Sequence, residues 1–141
     1  MSRRIVLIVL AVGVALVLAI QLVPYGRQHT NPPVASEPQW VDPTTRTLAK
    51  RACFDCHSNE TIWPWYSNAA PVSWLIQRDV DEGRRRLNFS DWGVLRQRER
   101  ELAQVVLEGE MPPVYYGWMH PSGVLTTQET AALAQGLSAL K

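Results

Sequence analysis

Residues 53–57 read Cys53-Phe54-Asp55-Cys56-His57, two thiols three positions apart followed at once by an imidazole. They are the only cysteines among 141 residues, so a multiply bridged scaffold is excluded. Upstream, Asp42 or Thr44 can cap a helix in which Pro43 takes an early position and Leu48, Ala52 and Cys56 recur at four-residue spacing. The pattern predicts a helix over 44–56 that delivers the thiols at its end.

Thiols at this spacing can add across the vinyl groups of haem, and the next histidine is then held under the iron as its proximal ligand. The sequence therefore predicts one covalent haem c, on Cys53 and Cys56 with His57 on the iron. Other chemistries fit less well. A closed zinc site needs four ligands, and Cys53, Cys56 and His57 would have to recruit His29 or His120. A thioredoxin-type dithiol opens a helix rather than closing one. A disulfide across two residues closes too short a loop to stabilise much, and an iron–sulfur cluster needs four thiolates.

For the sixth position the candidates are Met111, His120, Met119 and His29. Met111, in EGEMPPVYY, is preferred, because its prolines hold an extended backbone and Met with His is the ligation of electron-carrying c cytochromes. His120 is its main rival, and in its plainer role a turn residue before Pro121. Trp63, Trp65 and Tyr66 are expected to wall the porphyrin on one side. Trp74, Tyr115, Tyr116 and Trp118 could close the other, with ordinary core packing as the competing role. Arg84-Arg85-Arg86 reads as a solvated helix end, and Arg46 or Arg51 could neutralise propionates.

Three more helices are expected. One covers 71–86, with Val72, Leu75, Ile76 and Val80 inward and Gly83 weakening its last turn. Another starts from a Ser90 cap, steps through Trp92, Leu95, Glu99, Leu102 and Val106, and ends at Gly109. The last opens on a capping box, Thr126 with Glu129, and turns Leu133, Leu137 and Leu140 inward. With no strand pattern, the fold class is all-α.

Ile5 to Val23 carries no charge. As a helix it reaches about 28 Å, close to the roughly 30 Å hydrocarbon thickness of a bilayer. It is longer than a signal-peptide core and lacks a small-x-small cleavage site, so an uncleaved anchor is preferred to a cleaved signal or a buried helix. Arg3 and Arg4 keep the N-terminus cytoplasmic, which in a bacterium puts the remainder in the periplasm. The expected organisation is an anchor over 1–23, a Pro-rich linker over 24–43 and a haem domain over 44–141. The formal net charge of +1, from 14 basic and 13 acidic residues, gives no surplus for phosphate neutralisation, so no nucleic-acid partner is expected.

CFDCHSNETIWPWYSNAAPVSW at 53–74 and MPPVYYGWMHPSGVLTTQE at 111–129 resemble the haem-binding domain family of bacterial c-type cytochromes, the likeness covering most of 40–139. It implies a cytochrome-c-like helical domain around a single covalent haem, facing the periplasm. The expected function is a single-pass inner-membrane cytochrome that passes single electrons between periplasmic or membrane redox proteins and turns over no substrate. From the enzyme class, the alternative is a peroxidase-like or accessory redox subunit with an open or labile sixth position. From the binding class, it is a haem-based sensor or a metal-binding module.

Overall fold

The computed structural model describes residues 2–94 and 99–140, and the chain divides into two compact units. Unit 1 comprises residues 1–30 and 63–79; unit 2 comprises 31–62 and 80–141. The described residues are all-helical, with one isolated bridge between Ser36 and Asp91 in place of any strand.

In unit 1 the uncharged run is helical as far as Ile20, within α1, Arg3–Ile20, which has no residue buried and the length and apolarity to cross a membrane. Just past its end, the Gln21 amide fastens a second segment: Gln21 Nε2 donates to the Ala70 carbonyl at 2.9 Å, and Ala70 N donates to Gln21 Oε1 at 3.0 Å. Arg27 adds a hydrogen bond to the same Oε1 at 3.1 Å. Gly26 adopts φ +81°, and a Cβ there would strike the Ser73 carbonyl, so only glycine fits. A 3-10 turn, Trp65–Asn68, and the first half of α4, Val72–Arg86, complete the unit.

Unit 2 begins with α2, Pro43–Ala52, capped as expected by Asp42, which accepts Thr45 N at 2.8 Å and has Pro43 behind it in the first turn. The helix stops short of the expected Cys56. Its buried face is Thr45, Leu48, Ala49 and Ala52, which a continuous helix would extend with Asp55 or Cys56. The chain instead departs at Cys53, φ −127°, and restarts as the single turn α3, Phe54–His57. Phe54 thereby enters the core at 2% exposure and stacks on Phe89 at 5.5 Å. Burying a phenyl ring in place of a carboxylate accounts for the break.

The core joins Phe54, Phe89 and Trp92 to Leu48, Ala49, Val106, Leu133, Leu137 and Leu140. Here α5, Glu99–Leu107, packs against α7, Thr127–Ser138. The α7 capping box is formed, and Leu133, Leu137 and Leu140 face inward as expected. Gly109, φ +73°, ends α5. Between them lies α6, Val114–Met119, which periodicity did not reveal.

Three further expectations change. Ser90 does not cap a helix: its Oγ accepts Asn59 N at 2.9 Å, and Leu95 with Arg96-Gln97-Arg98 lies outside the described residues. Along α4, Val72 and Leu75 are 43% and 47% exposed, while Ser73, Val80 and Gly83 are buried. Residues 31–42, assigned to the linker, are held to unit 2. Ala35 N donates to Ser90 O at 2.9 Å, Asn59 Nδ2 donates to Pro33 O at 2.9 Å, and Trp40 lies 5.3 Å from Phe89.

Candidate functional site

The motif occupies one turn. Cys56 N and His57 N both donate to the Cys53 carbonyl, at 3.2 and 2.8 Å, so Cys53 and Cys56 stand at positions i and i+3 on one face. Both residues are half-buried and no disulfide joins them. Burial pushes the Cys53 thiol up to about 12, and the neighbouring Cys56 adds to the rise. At neutral pH Cys53 is therefore a thiol and not a thiolate.

The His57 ring is fixed by backbone. Its Nδ1 lies 3.1 Å from the Gly83 carbonyl and 3.2 Å from the Leu87 carbonyl. Carbonyl oxygens supply no proton, so Nδ1 carries the hydrogen and donates it. Burial lowers the His57 pKa more than these two acceptors raise it, keeping the ring neutral at pH 7. A neutral imidazole protonated at Nδ1 presents its lone pair on Nε2, the state in which histidine ligates a metal.

Gly83 makes this approach possible. It sits within α4, and a Cβ there would drive into the Cys56 carbonyl. By sequence alone Gly83 weakens the last turn; the helix runs on through Arg86, and the missing side chain is what brings its backbone against the motif. A glycine inside a helical pattern is the signal that could have marked this contact.

Tyr116, on α6, is the other residue brought to the motif. Its phenol donates to Asp55 Oδ2 at 2.8 Å, and Asp55 Oδ1 accepts Ile62 N at 3.0 Å. Burial and then the Asp55 charge push the Tyr116 pKa up, so the phenol keeps its proton. The ring of Tyr116 stacks on His120 at 4.2 Å, and His120 Nδ1 donates to the Tyr116 carbonyl at 3.1 Å. The aromatic pair Tyr115-Tyr116 thus divides: Tyr116 is tied to the motif, and Tyr115 is 42% exposed.

The remaining candidates are placed as follows. Met111 follows α5, its N donating to the Val105 carbonyl at 3.2 Å, and is 37% exposed; Met119 is 58% exposed. In unit 1, His29 stacks on Trp63 at 4.7 Å and has its Nε2 2.9 Å from Ser67 Oγ. Trp65 is 82% exposed, with Tyr66 edge-on at 5.7 Å. Among the described residues no group of three or more His, Cys, Asp or Glu side chains is gathered for a metal ion, so the zinc set weighed from the sequence is not assembled.

The two propionate candidates, Arg46 and Arg51, are engaged with protein partners. Arg46 forks onto Glu37 at 2.7 and 2.8 Å, and Arg51 pairs with Glu129 at 2.6 Å while donating to Ser122 O at 2.8 Å. Arg84, expected at a solvated helix end, donates to Ser58 O at 2.8 Å and to Thr61 Oγ1 at 2.9 Å. Arg85 and Arg86 keep the solvated role.

Two sulfurs on one face of a turn, followed by a neutral imidazole with its Nδ1 already occupied, suit a haem in their donor chemistry. A family model described as a haem-binding domain matches residues 15–139. The chain belongs to this haem-binding domain family. Neither a curated protein nor a solved structure matches it. Within the haem-binding domain, the match takes in α2 to α6 entirely and α7 to its last residue.

Proposed function

We propose that this haem-binding protein is a membrane-anchored c-type cytochrome that carries single electrons between redox proteins on the periplasmic side. The observation that carries the reading is the His57 ring, neutral, half-buried and held at Nδ1 by two carbonyls beside a pair of cysteines on one helical face. Haem bound there supplies a one-electron iron couple. Cys53 and Cys56 would hold it through thioethers, His57 Nε2 would ligate the iron, and Met111 is the proposed sixth ligand. The carbonyls of Gly83 and Leu87 fix the imidazole orientation and raise its basicity as a ligand. Tyr116 keeps Asp55 hydrogen-bonded within the motif. The anchor is α1, with Arg3 and Arg4 on the cytoplasmic side.

The test is haem staining of the full chain after denaturing electrophoresis, from cells that run the attachment machinery. Stain should migrate with the chain and vanish in a Cys53→Ala, Cys56→Ala double variant. An exported chain with no added tetrapyrrole mass overturns the reading. For the sixth ligand, Met111→Ala should abolish the methionine–ferric charge-transfer band and lower the reduction potential. An unchanged band and potential would move that role to His120 or Met119. A high-spin parent spectrum that shifts with cyanide or CO would favour the open-site, enzyme-class reading.

A further inference from the structure

Unit 1 has a composition unlike the rest of the chain. Its only charged side chains are Arg3, Arg4, Arg27, Arg78 and Asp79, and residues 61–77, TIWPWYSNAAPVSWLIQ, carry none. About a quarter of residues are charged in ordinary soluble domains, and a run of this length without charge is unusual for a surface facing water. Large apolar side chains nevertheless stand exposed here: Leu22 at 84%, Trp65 at 82%, Leu75 at 47% and Val72 at 43%.

The position of this segment along the anchor is fixed by polar contacts. Gln21 is the first residue past α1 and the first polar side chain after Arg4. Both atoms of its amide are spent on the backbone of Ala70, and Gly26 is seated on the Ser73 carbonyl. Residues 63–77 are therefore tied to the end of the span. A bilayer measures about 30 Å across its hydrocarbon and about 40–45 Å with its headgroups, leaving a boundary layer several Å deep on each side. Indole, apolar in body and polar at one edge, is enriched in that layer.

We propose that residues 63–77 form a membrane-interface surface, with Trp65, Val72 and Leu75 seated among the headgroups and upper acyl chains of the bilayer that α1 spans. The occupant is phospholipid, because the surface is uncharged, aromatic and continuous with the anchor through Gln21. This rests on the anchoring reading, and it gives Trp65 a role other than the haem wall expected from the sequence.

The test uses the full haem-loaded chain in vesicles of phosphatidylcholine and phosphatidylglycerol, with a photoreactive benzoylphenylalanine placed singly at four exposed sites. Val9→benzoylphenylalanine reports the span, Trp65→benzoylphenylalanine and Leu75→benzoylphenylalanine report the proposed surface, and Glu108→benzoylphenylalanine reports a charged surface of unit 2. After illumination, mass spectrometry should find phospholipid adducts at 9, 65 and 75 and none at 108. Lipid at 9 with no adduct, or only chain-to-chain crosslinks, at 65 and 75 overturns the interface and leaves the anchor standing. No lipid at 9 overturns the anchor and the interface with it. Adducts at 108 matching those at 65 also overturn the interface, since contact would then be nonspecific.

Discussion

Gly83 occupies a helix interior, where glycine costs about 1 kcal/mol relative to alanine. Its replacement by alanine should nonetheless destabilise the protein, since the new Cβ meets the Cys56 backbone and not a flexible side chain. Overpacking of this kind costs roughly 1–3 kcal/mol. Urea denaturation should show the loss for Gly83→Ala and none for Gly93→Ala, where nothing lies within 4 Å of the added carbon. Tyr116→Phe removes a hydrogen bond to a carboxylate and should cost about 1.5–3 kcal/mol by the same measurement. At this scale the sequence disclosed Cys53, Cys56 and His57, because residue type and spacing are themselves the chemistry. It did not disclose Gly83 or Leu87, which act through carbonyl oxygens 26 and 30 positions from His57. Every residue has a carbonyl, so no side chain advertises that role, and only the glycine within a helical pattern at 83 hints at the close approach.

Among the elements, the start and inner face of α7 were legible, since its capping box and leucine spacing are local signals. The break between α2 and α3 was not, because it depends on Phe89, thirty-five positions from Phe54, drawing that ring inward. The face of α4 was read only in part, for a related reason: Val80 is buried as expected, but Val72 and Leu75 point outward, and a polar serine and a glycine take the other buried positions. The start of α7 carries a pH signature. Hydrogen bonding from Arg51, then from the Thr126 backbone, holds the Glu129 carboxyl down at about 2 against an ordinary 4.5. The unfolded chain takes up this proton first as pH falls, so the stabilisation is complete above about 4.5 and is lost on descending through about 2. Thermal midpoints of Glu129→Gln and the parent should therefore differ at pH 6 and converge as pH drops across that window.

Taken as a whole, the chain segregates its charge, with unit 1 nearly bare and unit 2 carrying most acidic and basic groups. Proline content made 24–43 read as a linker, and it stays non-helical up to Asp42, yet its second half belongs to the unit 2 core through Trp40 and the hydrogen bonds of Ala35 and Ser36. Side-chain contacts of an extended segment have no periodicity to betray them. A fragment beginning at residue 44 should accordingly be less stable than one beginning at residue 31, by on the order of 3 kcal/mol for the lost tryptophan packing. Chemical denaturation of the two fragments checks this. Finally, the contact of His57 with Gly83 clasps the two ends of residues 58–82 within unit 2. Of these, Ser58, Asn59 and Val80 are buried in unit 2, so changes of length or sequence that leave the imidazole in its seat are confined to 63–79, the stretch that belongs to the other unit.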